Sequence, residues 1–214
     1  WRNNKLARNN IFQIMESKRD FLKEIWRLEA LLQDKEGVEV YKKPLFDLGW
    51  PSKPEYMDIE QFVNQYAFKN WKCRGTCIDL TDMSMTLGID DMFDNNNFTE
   101  EEILIYAEYV ANILFLVNQV ECTDEFWYKD TVIVTIARNN LESILGWMNY
   151  ELKVFPQKER VLVVRKSAAV SAVAEIVSED LAYQIVKYNH SSLKGNLADK
   201  KAILLALGSE FEPK

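Results

Sequence analysis

A chain of 214 residues with 48% apolar and 28% charged side chains is long enough for a sizeable core and has the make-up of an ordinary globular protein. Seven glycines and five prolines are too few for the turns of an all-β or loop-rich chain, so a mainly α fold is expected. The net charge of −7 is uneven, with +3 on residues 1–43, −12 on residues 44–128 and +2 on residues 129–214; the acidic middle would repel a phosphate backbone and disfavours a general nucleic-acid footprint.

The first predicted element is a helix over Lys5–Lys35. Phe21, Ile25, Leu28 and Leu32 line one of its faces, and Gly37 is its stop. The next stretch, "VEVYKKPLFDLGWPSKPEY", holds three of the five prolines, so an irregular connection with a short strand at Val38–Tyr41 is expected. Asp58 with Gln61 three residues on has the spacing of a helix cap, and the helix it opens carries Phe62 and Tyr66 on one face and ends at Gly75. "CIDLTDMSMTLGIDDMFDNNN" suggests one short helix and then a polar loop. Thr99-Glu100-Glu101-Glu102 is the clearest helix start, a capping box with three acids at the positive end of the helix dipole. That helix runs to about Gln119 and is apolar on most sides, which predicts a central place in the core.

A further helix is expected over Tyr128–Met148, with a strand at the β-branched "VIVTI" as the alternative. The period then changes. "YELKVF" and "RVLVVR", separated by a four-residue polar loop, predict a β-hairpin at about 150–155 and 160–165. Two strands alone are marginal in water, so the hairpin must lie against helices or find a third strand. Two more helices are expected, over Ser167–Tyr188 and Asp199–Leu207. The expected organisation is a helical region with an irregular acidic middle at 1–128, followed by a helix, hairpin and two further helices at 129–214. The two can also form one continuous domain.

No apolar run approaches the roughly 18–20 residues that span a bilayer. The longest, "ILFLVNQV", is broken by Asn118 and Gln119. Trp1-Arg2-Asn3-Asn4 leads into a charged amphipathic segment rather than an apolar signal sequence, and three cysteines do not form a disulfide framework. A reducing, cytoplasmic setting without membrane attachment is expected. A start at Trp1 and an end at Pro213-Lys214, just past an apolar helix, are expected of a piece of a longer chain.

Candidate chemistries fall away one by one. Cys73 and Cys77 could bind zinc only with Cys122 and His190 brought in by long-range folding, and buried structural cysteines are the better reading. An EF-hand loop begun at Asp90 would place Met92 at position 3 and Asn95 where glycine is needed. His190 is the only histidine, just past a predicted helix end, and reads as a surface or capping residue. No glycine-rich phosphate cradle is present, and most of the six tryptophans lack interleaved basic residues, so packing is a better reading for them than stacking on bases or anchoring a partner. The sequence thus assigns no catalytic, cofactor-binding or metal-binding residue.

The stretch from "NLESILGWMNYELKVF" to "YNHSSLKGNLADKKAILLALGSEFEPK", residues 140–214, resembles the segment preceding the HEPN-type helical domain in bacterial abortive-infection-like proteins. The shared features are a helix and hairpin leading to an Ala-rich helix, a "Y-N-H-x-S-L-K-G" connector and a "K-K-x-I-L-L-x-L" helix ending in "E-P". The resemblance implies phage defence through RNA cleavage by an Arg and a His with four to six residues between them. Tyr183, Gln184 and Ile185 occupy the positions where that Arg would precede His190, so the nuclease portion would lie beyond Lys214. The expected function is a non-catalytic helical interaction or regulatory module with a protein partner or self-association. The alternatives are a ribonuclease completed outside this chain and an RNA-binding module using the two basic segments.

Overall fold

A computed structural model describes residues 21–43, 53–94, 98–190 and 196–211. The mainly α fold with a small hairpin is what is found, together with a second small sheet. Helix α1 spans Phe21–Leu32, and the earlier part of the helix expected over Lys5–Lys35 lies outside the described residues. Its Ile25, Leu28 and Leu32 are fully buried, as their spacing requires. Strand β1 is Val38–Lys42, β2 is Glu55–Met57 and β3 is Phe126–Asp130, forming an antiparallel sheet in the order β2-β1-β3. In β1, Val38 and Val40 face the core while Glu39 and Tyr41 turn outward. Gly37, just before β1, approaches Ile59 so closely that a Cβ there would lie 3.0 Å from its Cγ1.

Helix α2 is Ile59–Tyr66, capped by Asp58, which accepts from the Gln61 amide at 2.7 Å. It stops at Tyr66 rather than running to Gly75, giving way to two 3₁₀ turns at Phe68–Asn70 and Lys72–Arg74. Phe68 and Trp71 both enter the core, and a spacing of three is the one a 3₁₀ turn aligns. Helix α3 is Leu80–Leu87, followed by a 3₁₀ turn at Asp90–Phe93, within the acidic stretch considered for calcium; residues 95–97 lie outside the described residues.

Helix α4, Glu100–Val117, is the centre of the molecule, with every residue from Tyr109 to Val117 buried. The Thr99 hydroxyl accepts from the Glu102 amide at 3.2 Å and the Thr99 amide donates to Glu102 Oε2 at 2.6 Å, the predicted capping box. Thr99→Ala is expected to lower stability by about 1 kcal/mol, measured by urea denaturation. Strand β3 corrects the helix expected from Tyr128. Phe126 and Tyr128 face the core and Trp127 stacks on Tyr41 outside, a period of two hidden by three aromatics in a row. Thr131 then caps helix α5, Val132–Trp147, so "VIVTI" is helical.

Strands β4 (Tyr150–Phe155) and β5 (Arg160–Arg165) form the hairpin at the expected residues. Helices α6 (Ala168–Ala174) and α7 (Glu179–Tyr188) replace the single helix expected over Ser167–Tyr188. The break falls where Ser178 caps α7, with Glu179 and Asp180 in its first turn. Helix α8 is Leu197–Phe211. One main core draws on α1, β1, α2, α4, α5 and on Val161 and Val163 of β5. A smaller one joins Phe155, Leu162 and Val164 to Ala182 and Val186 of α7. The hairpin is thus covered on both faces, which supplies the packing that two isolated strands lack. No helix among the described residues is long and apolar enough to cross a membrane.

Candidate functional site

Two polar residues interrupt the apolar surface of α4, Glu108 and Asn112, and their spacing of four places them on one face. That face meets the edge of β5 that β4 leaves unpaired. The Val161 amide donates to Asn112 Oδ1 at 2.9 Å, and Asn112 Nδ2 donates back to the Val161 carbonyl at 2.9 Å. One turn earlier, Glu108 Oε2 accepts from the Val163 amide at 2.9 Å. Side chains of a helix therefore do for β5 what a third strand would do, and satisfy backbone groups that burial would otherwise penalise.

Glu108 is also the meeting point of two further side chains, Arg160 and His190. Arg160 Nη2 donates to its Oε1 at 3.2 Å, and His190 Nε2 donates to its Oε2 at 2.5 Å. Burial alone would raise the carboxyl's pKa; the hydrogen bond and charge of His190, the Val163 amide and the charge of Arg160 outweigh it and hold the group below its usual range. His190 is only 9% exposed, which corrects the surface position expected for it. It does follow a helix end, its amide donating to the Lys187 carbonyl at 3.0 Å, and its backbone bridges Val164. One carboxylate thus ties α4, β5 and the segment after α7 together.

Beside this network lies a cavity of about 280 Å³ whose walls include Trp71, Cys73, Met83, Leu104, Arg160 and His190. The Cys73 thiol faces the Lys158 carbonyl at 3.2 Å and burial pushes its pKa up, the opposite of what activates a thiolate nucleophile. Cys77 is buried, with its sulfur 3.7 Å from Thr86 Oγ1, whereas Cys73 is half-buried and Cys122 exposed, so the buried reading of Cys73 and Cys77 holds for Cys77. Among the described residues, no three His, Cys, Asp or Glu side chains are grouped as metal ligands would be. The serines after His190 lie outside the described residues.

Packing accounts for the tryptophans unevenly. Trp71 is in the core and its indole donates to the Glu159 carbonyl at 2.6 Å, pinning the hairpin loop. Trp26 and Trp147 are partly exposed, Trp127 stacks on Tyr41, and Trp1 and Trp50 lie outside the described residues. Of the Glu108 cluster, the sequence singled out His190 but neither Glu108 nor Asn112. Their signal was present as two polar positions four apart in a helix that is otherwise apolar. Comparison with protein-family models, curated proteins and solved structures finds no match to this chain, so its chemistry is judged on geometry.

Proposed function

We propose that this chain is a non-catalytic interaction module that pairs with a second copy of itself through helix α8. The observation that carries this is the surface of α8. Ile203 is buried, whereas Leu197, Leu204 and Leu205 are 79%, 52% and 66% exposed, and α7 is the main element against which α8 rests. Covering a leucine is worth roughly 1.5–3 kcal/mol, so these positions favour a partner surface.

Leu197, Leu204 and Leu205 lie on the side of the helix away from Ile203, as a turn of about 100° per residue sets it. In an antiparallel pair about a two-fold axis, Leu204 and Leu205 of each copy meet those of the other, the self-complementary pattern of an isologous dimer. The burial of His190 against Glu108 supports this reading over a ribonuclease built on that residue. The resemblance to abortive-infection-like proteins fits it as well, since it implies a segment upstream of any nuclease.

Light scattering on the eluting protein, from micromolar to sub-millimolar concentration, tests the proposal. The natural sequence is expected to reach a dimer, and Leu204→Asp with Leu205→Asp to remain monomeric with an unchanged far-UV spectrum. A monomer throughout, or a dimer that survives Leu204→Asp with Leu205→Asp, would overturn the proposal.

A further inference from the structure

Another face of α4 carries Tyr106 and Tyr109, three residues apart, with ring centroids 6.3 Å from each other. Each hydroxyl faces a carboxylate from a different helix. Tyr106 donates to Glu29 Oε2 of α1 at 2.6 Å, and the Tyr109 hydroxyl lies 3.4 Å from Glu60 Oε1 of α2. The other oxygen of Glu29 accepts from Gln33 at 2.6 Å. All four residues line one cavity of about 260 Å³, with Asn64, Asp90 and Phe93 among its other walls.

The titratable groups that face this pair from the surrounding elements are of one kind. They are Asp58 and Asp79, which cap α2 and α3, Asp90 in the 3₁₀ turn, and the two tyrosines themselves. No lysine, arginine or histidine lines the cavity among the described residues. Two partly buried carboxylates on one cavity that no cationic side chain lines cannot both ionise cheaply, because burial and mutual repulsion both disfavour the second charge.

We propose that Glu29 and Glu60 form a proton-operated latch: with a proton bound they let α1 and α2 close together on α4, and with both ionised they loosen α1 from that face. Burial first, then the charges of Glu29 and Asp58, raise the Glu60 pKa to about 7, and burial raises that of Glu29. The folded state therefore holds a proton that the unfolded state has lost between the ordinary carboxyl pKa and neutrality. Stability falls as pH rises through that window, and the latch is closed on its acid side. The contact most directly exposed to loosening is the edge-on packing of Trp26 of α1 against Phe93, with ring centroids 4.9 Å apart.

Two measurements on the full chain test the latch. In urea, the unfolding constant is expected to rise roughly a hundredfold from mildly acid to mildly alkaline pH, and Glu60→Gln to remove most of that rise. Amide exchange over residues 21–32, corrected for its intrinsic pH dependence, is expected to quicken with pH in the natural sequence and not in Glu60→Gln. Carboxyl ¹³C titration of the natural protein gives the same answer without a substitution, through a glutamate that titrates near neutrality. An equal pH slope in Glu60→Gln, or all glutamates titrating at ordinary carboxylate values, would overturn the proposal.

Discussion

Glu108→Ala is expected to cost about 3–5 kcal/mol of folding stability, because it strands several partners of one buried carboxylate at once. Val163 loses the acceptor for its amide, Arg160 loses its counter-charge and His190 loses its hydrogen bond to the carboxylate. Asn112→Ala, which leaves the amide and carbonyl of Val161 without partners, is expected to cost about 2–4 kcal/mol. The two residues serve successive unpaired positions on one strand, so a double-mutant cycle should show coupling of about 0.5–3 kcal/mol. Urea denaturation gives the energies, and amide exchange gives the location. Protection should fall first at Val161 and Val163, with the main core of α4 and α5 holding longer. Full protection of those two amides in Glu108→Ala would mean that the carboxylate does not hold the hairpin edge.

What the sequence revealed and what it concealed divide along a physical line. Local chemistry was legible. Thr99 and Glu102 form their capping box, Asp58 caps α2, and the change from a period near four to a period of two placed both strands of the hairpin. Long-range pairing was not. β3 owes its place to hydrogen bonding with β1, more than eighty residues earlier, and the run Phe126-Trp127-Tyr128 hides which aromatic points inward. α2 ends at Tyr66 with Phe68 and Trp71 both buried beyond it, and a spacing of three suits an α-helix as well as a 3₁₀ turn, so the pattern did not mark the stop. His190 is the clearest case. Its neighbours in the chain suggested an exposed helix end, and its setting is decided by Glu108, which lies 82 residues away in sequence. The glutamate itself was visible as a charge in an apolar helix, but its partners were not.

The dependence of stability on pH is the second large effect, and the two faces of α4 contribute to it with opposite sign. Glu108 has a lowered pKa in the fold, so its stabilisation is complete above the ordinary carboxyl pKa and disappears as pH falls through the folded value. Protonation there weakens charge-assisted bonds to His190, Val163 and Arg160, a loss on the order of 1.5–3 kcal/mol. Glu60 and Glu29 have raised values, so their destabilisation grows as pH rises from the ordinary carboxyl range towards about 7. Stability is therefore expected to peak in mildly acid solution rather than at neutrality. Charge repulsion is also least there, because the sequence pI is about 5.0. Glu108→Gln should flatten the acid limb at the cost of a lower maximum, and Glu60→Gln should flatten the alkaline limb and raise stability at pH 8 by about 1–3 kcal/mol. The carboxylates of the two clusters bond different groups among the described residues, so the double variant should show both changes added to within about 0.5 kcal/mol. A maximum at neutral or alkaline pH in the natural sequence would contradict the alkaline limb. An acid limb that survives in Glu108→Gln would assign it to other carboxylates.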